Sequence, residues 1–294
     1  MARNRVVSSV VAAFLAVVIA ALVAWAGSQG GITVGGVPVI AIVFTWAFVV
    51  QWLAFVPSYL KRSERFYDLT GSLTYVTGIA LAVGLSRATD ARSILLLVLV
   101  LVWAGRLGSF LYRRVRRAGK DDRFDEIKNS FSRLFMTWTL QGLWVSLTLA
   151  AALAAVTSTQ PEALDVFAWV GLALWVVGFG FEVTADWQKS RFRADPANRG
   201  VFISSGLWGI SRHPNYFGEI TLWVGIAIIA LPVLKGWQYA TLISPVFVFL
   251  LIVRVSGVRL LEKKAEATWG GQSAYEQYKR RTPVLVPFLG RRKR

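Results

Sequence analysis

The sequence predicts an all-α integral membrane protein, a bundle of about eight transmembrane helices with both termini in the cytoplasm. Two observations carry this prediction. Hydrophobic residues make up 55% of the 294 positions and are gathered in long blocks. Lys and Arg, in turn, are concentrated in alternate connecting segments. Residues 1–294 are predicted to form a single integral membrane domain, because the connecting segments are short and no internal repeat is visible.

Each apolar block is predicted to be one membrane-spanning helix, because most approach the ~20 residues that cross a ~30 Å hydrocarbon core. The first block is preceded by Arg3 and Arg5 and ends near Ala24-Trp25-Ala26, which resembles a signal-peptide cleavage site. Its apolar run is longer than a typical signal segment, so we expect a retained helix. The third is short and interrupted by glycines. In chain order the blocks are 6–26, 37–60, 70–86, 92–112, 133–156, 164–185, 216–234 and 238–260.

The distribution of basic residues predicts the orientation. With the N-terminus inside, all but four of the 33 Lys and Arg residues fall in cytoplasmic segments or in the closing turns of the last helix. This is the bias of cytoplasmic loops toward positive charge. The exceptions are Arg87, Arg92 and Lys235 on the opposite face and Arg106 within the fourth block. The excess of Arg over Lys and the abundance of Ala suggest a bacterial source, and hence the inner (plasma) membrane with a site open to the cytoplasm.

Composition narrows the possible partners. The net charge of +17 is explained by this topology and by contact with anionic lipid headgroups, so membrane lipids are expected partners and nucleic acid is not. The chain has no cysteine, which excludes disulfides and thiolate metal sites. His213 is its single histidine, too few for a histidine-rich dinuclear iron centre, so no metal is expected.

A group of acids and bases follows the sixth block. Glu182, Asp186, Lys189 and Arg193 are spaced by four, three and four residues, which places them on one helix face if the sixth helix continues beyond the membrane. The acids can accept hydrogen bonds from ribose hydroxyls or a carboxamide, and the bases can neutralise phosphates. The alternative is an ordinary juxtamembrane helix with ion pairs between neighbouring turns.

The segment 211–219 predicts a ligand-binding helix start. Pro214 suits the first position of a helix, and free amides at such an end attract an anion. Asn215 and Glu219 then point in the same direction along the seventh helix. The alternative is Pro-initiated capping with Glu219 paired to an arginine. The residues predicted to bind a cofactor in this segment are Arg212, His213, Asn215, Tyr216 and Glu219.

Two further groups lie nearer the N-terminus. Arg106 interrupts an apolar block and must find a counter-charge or carbonyl; Arg114 and Arg123 are candidate phosphate ligands in a basic segment that can also be simply solvated. Asp68 opens the third block. A carboxyl in an apolar pocket can stay protonated and donate to a carbonyl oxygen, and Tyr75 can share this role. The alternative for Asp68 is a helix-start acid stabilised by the dipole.

These residues also carry a family resemblance. The chain resembles the steroid 5-alpha-reductase-like family, in its uncharacterised bacterial DUF1295-type branch, over about residues 60–290. The most specific motif is Gly206-Leu-Trp208 followed by 211–219, and 103–107, 120–124 and 186–189 fit the same branch. The resemblance implies about seven helices with NADPH at the cytoplasmic side. It implies cofactor roles for Glu182, Asp186, Arg193, Asn215 and Glu219, with Arg114 and Arg259 on phosphates.

The resemblance implies a reductase of a C=C bond conjugated to a carbonyl, acting on a lipophilic steroid- or lipid-like substrate. Characterised steroid reductases use a glutamate and a tyrosine on the ketone; here the nearest residues are Asp68 and Trp103, and Tyr75 is the candidate replacement. The Arg-His-Pro-x-Tyr core also resembles S-adenosylmethionine-dependent membrane methyltransferases of the isoprenylcysteine and phospholipid type. Arg191, Arg193 and Arg212 favour a cofactor with several phosphates. A non-catalytic lipid-binding protein is the third alternative.

Overall fold

A computed structural model describes residues 2–118 and 124–289. In this part of the chain, eight helices are long and apolar enough to cross a membrane, which confirms the predicted all-α, multi-pass architecture. The predicted orientation of the termini stays a prediction. The candidate spans are Val6–Gly27, Val39–Lys61, Tyr67–Ser86, Ala91–Arg116, Phe131–Val156, Val166–Ala194, Pro214–Val233 and Gly236–Trp269.

The chain divides into two compact units, formed by residues 1–168 with 229–244 and by 169–228 with 245–294. The prediction of a single domain over 1–294 stays a prediction. The first unit contains five long helices joined by short segments. These are α1 (Ala2–Gly27), α2 (Val39–Lys61), α3 (Tyr67–Ser86), α4 (Ala91–Ala118) and α5 (Phe131–Val156).

Helix α5 is the centre of the first unit. It packs on α1, α2, α3 and α4, and 89% of its 18-residue apolar stretch is buried. Close packing is possible because Gly142 lies against the Phe48 ring, which a Cβ would approach to 2.9 Å. Polar side chains join the helices internally: the Gln51 amide donates to Thr74 (2.8 Å) and the Gln141 amide to the Tyr67 carbonyl (3.1 Å). Such bonds remove polar atoms from the hydrocarbon.

Between α1 and α2 the chain forms a short antiparallel hairpin, β1 (Thr33–Val34) and β2 (Val37–Pro38). Its turn, Gly35-Gly36, has φ of 58° and 79°. A two-residue turn with both φ positive favours glycine, so the sequence encodes this turn directly. The hairpin starts next to Gly31, which bridges to Ser158 after α5.

A buried arginine ties the start of α4 to two other segments of the first unit. Arg92 is 2% exposed and pairs with Asp165 at 3.1 Å. Its guanidinium also donates to the backbone carbonyls of Glu162, Ala163 and Ile229. We call these residues the Arg92 clamp. All three guanidinium nitrogens therefore have acceptors, which removes most of the cost of burying the charge.

The second unit is built from the later helices. Helices α6 and α7 meet at glycines: a Cβ on Gly218 would lie 2.4 Å from the Gly178 carbonyl oxygen. Glycine at these positions lets two membrane helices approach closely. The helices of this part of the chain are α6 (Val166–Ala194), α7 (Pro214–Ala230), α8 (Ile243–Leu250), α9 (Val258–Trp269) and α10 (Ser273–Arg281).

The last candidate span is not one regular helix, although the sequence predicted a continuous block over 238–260. It begins with 3-10 turns at Gly236–Leu242, and after α8 it widens to a π-helix over Leu251–Ser256. Gly257 follows with φ −107° and ψ −97°, and a Cβ there would lie 2.5 Å from the Ile252 carbonyl oxygen. This irregular turn separates α8 from α9 within the span and sets the direction of α9. Wide turns of this kind often lie next to functional sites.

Candidate functional site

Helix α6 continues without a break to Ala194, so the four charged residues predicted on one face do share it. Glu182 and Asp186 are buried, with 1% and 7% of their surface exposed. Lys189 is half-buried, and its Nζ lies 4.4 Å from the centre of the Trp208 ring. Arg193 is exposed. The face thus changes from buried acids to bases toward the end of the helix.

The segment after α6 carries a 3-10 turn over Gly206–Gly209 and is held by the C-terminal part of the chain. We call residues 273–289 the C-terminal strap. Its Tyr278 hydroxyl donates to the Trp208 carbonyl, and the Arg212 amide donates to the Pro283 carbonyl. The Ser211 hydroxyl donates to the Leu285 carbonyl at 2.7 Å. Burial raises the pKa of Tyr278, so this phenol stays a donor. The strap fixes the backbone that presents residues 211–213.

One carboxylate of α9 holds two of the predicted cofactor ligands. Glu262 Oε2 lies 2.6 Å from Arg212 Nη1, and its Oε1 lies 2.8 Å from His213 Nε2. We call Arg212, His213 and Glu262 the Glu262 cluster. Burial lowers the pKa of His213; the Glu262 carboxylate raises it, and the charges of Lys189 and Arg212 lower it. The imidazole is therefore neutral near pH 7, with Nε2–H donating to Glu262.

This cluster leaves two polar atoms unsatisfied. In the described part of the chain, neither His213 Nδ1 nor Arg212 Nε has a hydrogen-bond partner, although both atoms are buried. The first is an acceptor in the neutral tautomer, and the second is a charged donor. Unsatisfied buried polar atoms are rare in native proteins and each one calls for an explanation, of which a bound ligand is one.

Helix α7 begins at Pro214 as predicted, and the Phe217 amide donates to the His213 carbonyl. The His213 and Tyr216 rings are stacked, with centroids 5.7 Å apart and an interplanar angle of 15°. Asn215 and Glu219 are half-buried one turn apart. A Cβ on Gly257 would lie 3.0 Å from the Tyr216 ring, so the irregular turn before α9 leaves room for this tyrosine.

The predicted catalytic residues lie in the first unit. Asp68 is in the first turn of α3, and its carboxylate is 3.6 Å from Arg114 Nη2 of α4. The sequence analysis gave these two residues separate roles, as an acid and a phosphate ligand; the structure joins them as an ion pair. Tyr75 is buried, and its ring meets Trp103 edge-on at 5.0 Å. Trp103 is the residue nearest to the tyrosine of the steroid reductases. It thus lies beside Tyr75, the candidate replacement for that tyrosine.

The remaining predicted ligands are spread more widely. Arg106 is half-buried, and its guanidinium lies over the Phe110 ring at 5.1 Å. Arg259 is exposed on the first turn of α9. Arg123 lies outside the described residues. In residues 2–118 and 124–289, no group of three or more His, Asp or Glu side chains is placed to hold a metal ion.

A cavity of about 330 Å³ opens beside the end of α6, within the second unit. It does not belong to the predicted cofactor face. At 100° per residue, Trp187 and Arg191 lie on the side of α6 opposite Asp186 and Arg193, and Asp195 follows directly after the helix end. Arg191, grouped with the phosphate-binding arginines in the sequence analysis, lines this cavity instead. The lining residues are Trp187, Gln188, Arg191, Phe192, Asp195, Asn198, Ile203, Ser205 and Gly206.

One known protein family matches a stretch of the chain that includes both the α6 face and the Glu262 cluster. The model of a family described as a protein of unknown function, DUF1295, matches residues 54–282. The chain belongs to the DUF1295 family. This confirms the DUF1295 branch predicted from the motifs in 103–107, 120–124, 186–189 and 206–219, while the wider steroid 5-alpha-reductase-like affiliation stays a prediction. The sequence matches no curated protein.

Sequence reasoning missed Glu262, the residue that organises the site of this DUF1295 member. It lies 49 positions from His213, in a segment that reads as an ordinary basic tail. The available signal was charge: Glu262 is an isolated acid next to Lys263 and Lys264, at the end of an apolar block. Its partners could not be chosen without the irregular turn at 251–257, which sets the direction of α9.

Proposed function

We propose that this chain is a membrane-embedded, NADPH-dependent reductase of a C=C bond conjugated to a carbonyl in a steroid- or lipid-like substrate. The proposal rests on the DUF1295 membership, on the resemblance of the motifs to steroid 5-alpha-reductases, and on the chemistry of the second unit. Its location is the bacterial inner membrane, with the cofactor entering from the cytoplasm. The lipophilic substrate enters laterally from the bilayer.

The observation that carries this proposal is the pair of unsatisfied atoms in the Glu262 cluster. Arg212 Nε–H can donate to a phosphate oxygen, and neutral His213 Nδ1 can accept from a ribose hydroxyl or a carboxamide. A dinucleotide presents both kinds of group. Glu262 already holds Arg212 Nη1 and His213 Nε2, so the cluster is pre-organised for a ligand.

The shared face of α6 fits the same ligand. Buried carboxylates such as Glu182 and Asp186 are expensive in a membrane protein and mark functional positions. Arg193 lies two turns beyond Asp186, where phosphates can be neutralised in contact with water. The Trp208 ring, which an S-adenosylmethionine sulfonium would favour, is already covered by Lys189. This arrangement favours the phosphate-rich cofactor over the methyl donor.

In this proposal NADPH supplies a hydride to the carbon beta to the substrate carbonyl. The Tyr75 phenol would donate to the carbonyl oxygen, where negative charge develops; a protonated Asp68 would share this role, and water would supply the proton that the alpha carbon takes. An Asp68 that donates must first give up its ion pair with Arg114, since that pair uses the ionised carboxylate. Trp103 contributes an apolar wall beside Tyr75 and no proton.

The test is ligand-induced thermal stabilisation of the detergent-purified full chain by NADPH, NADH and S-adenosylmethionine. A ligand at 100 times its dissociation constant adds about 2.7 kcal/mol. We expect stabilisation by NADPH, and loss of most of it in Glu219→Ala and His213→Ala. Lys264→Gln, an exposed change on α9, is the control and keeps the full effect.

Turnover measurements separate the predicted catalytic residues from the predicted cofactor-binding residues. With an enone substrate, Asp68→Asn is expected to lower kcat strongly and to leave the NADPH affinity nearly unchanged. Stabilisation by S-adenosylmethionine alone would replace the reductase proposal with the methyltransferase. Stabilisation by none of the three ligands would leave a lipid-binding protein without this cofactor site.

A further inference from the structure

The cavity on the side of α6 opposite Asp186 and Arg193 has no role in the proposed reductase. It combines an exposed indole, Trp187, with one cation and one anion, Arg191 and Asp195. Its remaining polar wall comes from Gln188, Asn198 and Ser205. The lining thus contains one group of each charge, the cation on the last turn of α6 and the anion just after the helix end, together with neutral hydrogen-bonding groups.

The length of α6 places the cavity at the predicted membrane interface. Helix α6 has 29 residues and is about 43 Å long at ~1.5 Å per residue, more than the ~30 Å hydrocarbon core. Trp187 is 21 residues after Val166, one core thickness along the helix. It is 57% exposed, as expected of an interfacial tryptophan. Arg191 and Asp195 follow at headgroup depth.

The two charged side chains are held apart and are available. Arg191 lies over the Trp187 ring, with its guanidinium carbon 5.5 Å from the ring centroid. Within residues 2–118 and 124–289, neither Arg191 nor Asp195 makes an ion pair, although they are only four residues apart. One Asp195 oxygen accepts from the Ala197 amide, which fixes the carboxylate at the cavity and leaves the other oxygen for a ligand.

The floor of the cavity is rigid. The side-chain oxygen Oε1 of Gln188 accepts from the Leu207 backbone amide at 3.0 Å. Gly206 has φ of 60°, and a Cβ there would lie 2.6 Å from the Gln188 amide nitrogen. Only glycine satisfies both constraints, so this part of the turn is shaped around Gln188. The Asn198 amide is tied to the Phe192 carbonyl at 2.9 Å.

We propose that this cavity binds the headgroup of a phosphatidylethanolamine-type lipid in the adjacent leaflet. The Arg191 guanidinium pairs with the lipid phosphate, and the Asp195 carboxylate accepts from the primary ammonium. Trp187 packs against the glycerol and upper acyl region. The net charge of the two groups is zero, which matches a zwitterionic headgroup better than an anionic one. A quaternary ammonium cannot donate a hydrogen bond to Asp195, so phosphatidylcholine fits less well.

The proposal is tested by native mass spectrometry of the full chain in detergent, titrated with phosphatidylethanolamine, phosphatidylcholine and phosphatidylglycerol of identical acyl chains. We expect one ethanolamine lipid to bind about tenfold more tightly than the other two, the value of one charge-assisted hydrogen bond. Arg191→Gln is expected to weaken all three lipids. Asp195→Asn is expected to remove only the preference for ethanolamine, because asparagine keeps the cap on Ala197.

Arg199→Gln is the matched control, because Arg199 is an exposed arginine of the same segment that does not line the cavity. It is expected to bind all three lipids like the wild type. Equal loss in Arg199→Gln and Arg191→Gln would mean non-specific charge attraction. If Asp195→Asn still preferred the ethanolamine lipid, the proposed contact between Asp195 and the lipid ammonium would be wrong. Competition by soluble glycerophosphoethanolamine at equal concentration would assign the cavity to a soluble ligand rather than a lipid.

The lipid site and the cofactor site can fail separately. Arg191→Gln is expected to keep the NADPH stabilisation of the wild type, since Arg191 points away from Asp186 and Arg193. A cofactor that binds without lipid selectivity overturns only the lipid site. Unchanged thermal stability of all three variants in the absence of lipid shows that a lost preference does not come from misfolding.

Discussion

The Arg92 clamp and the Glu262 cluster both surround a buried arginine, but they differ in how completely its polar atoms are satisfied. Every guanidinium nitrogen of Arg92 has an acceptor, from Asp165 and three backbone carbonyls. In the Glu262 cluster, Arg212 Nε and His213 Nδ1 have none within the described residues. The first arrangement is complete as protein structure. The second leaves two polar atoms for which we propose a ligand.

The difference also concerns which groups supply the bonds. Backbone carbonyls dominate the Arg92 clamp, so its geometry is fixed by the segments it joins and cannot adapt to another molecule. The Glu262 cluster depends on one half-buried carboxylate shared by two side chains. Changes in the clamp should therefore affect stability alone, whereas changes in the cluster should affect stability and cofactor affinity together.

The largest expected effect is that of Arg92→Leu, which leaves the buried Ile229 carbonyl and three partly exposed acceptors without their donor. The substitution costs about 3 kcal/mol, the low end for breaking a buried charged network, because Asp165 is partly exposed. The measurement is thermal unfolding of the purified chain in detergent, with a large drop in Tm. The NADPH-induced shift of the remaining folded protein is expected to stay at the wild-type value.

Glu162→Gln is the matched control for the clamp, since the exposed Glu162 side chain takes no part and its backbone carbonyl still accepts. It is expected to unfold like the wild type. A small effect of Arg92→Leu would mean that water replaces the guanidinium, and the contrast with the Glu262 cluster would disappear.

Glu262→Gln is expected to have an intermediate effect on stability and a large effect on cofactor binding. The glutamine amide has no negative charge to hold Arg212. The free energy of unfolding therefore falls by about 1–3 kcal/mol, a limited loss because the carboxylate is only half-buried. Arg212 and His213 then lose their fixed positions, so NADPH affinity falls about tenfold or more. Tm and NADPH titration of the same sample measure the two effects.

The control for Glu262→Gln is Glu266→Gln, one turn further along α9. Glu266 pairs with Lys279 at 2.6 Å but is more than half exposed. Surface pairs of this kind contribute about 0–1 kcal/mol. Both Tm and NADPH affinity are therefore expected to stay near the wild-type values. If the two substitutions lowered the affinity equally, loss of charge on α9 would explain the effect rather than the cluster.

Much of this architecture was predictable from the sequence, because membrane helices are encoded by long local runs of apolar residues. The α6 face and the helix start at Pro214 were predictable for the same reason, since helical spacing and proline geometry are local. The third block, the weakest prediction, forms α3 over Tyr67–Ser86. The assignment of a cofactor and of Asp68 as an acid stays a prediction.

What the sequence did not reveal depends on distant contacts. The shared carboxylate Glu262 reaches His213 only because the chain widens into a π-helix at Leu251–Ser256 and turns at Gly257. Nothing local in the sequence signals that turn. The Arg92 clamp was equally hidden, since its acceptors are carbonyls, which every residue type carries. The cavity beside the end of α6 was hidden for the same reason, since part of its wall comes from Ile203, Ser205 and Gly206, which fold back onto the helix.

The smallest effect expected is a pH dependence that comes from His213 alone. It is the single histidine of the chain, so no other imidazole contributes. Burial lowers its pKa in the folded state below the ordinary 6.5, against the raising effect of Glu262 and with the help of Lys189 and Arg212. Between the folded and unfolded pKa values the unfolded chain binds more protons. Stability therefore rises with pH through this window and is lost as the pH falls.

The measurement is Tm of wild type and His213→Asn between pH 5 and 7.5. We expect the wild type to lose more stability than the variant as the pH falls below about 6.5, because asparagine does not titrate in this range. Protonation also converts His213 Nδ1 from an acceptor to a donor. NADPH affinity should therefore fall over the same window, whereas the Arg92 clamp contains no group that titrates near pH 6. Parallel Tm curves for the two proteins would show that the His213 imidazole is solvated. The Glu262 cluster would then offer a ligand no unsatisfied acceptor, and in this respect it would resemble the Arg92 clamp.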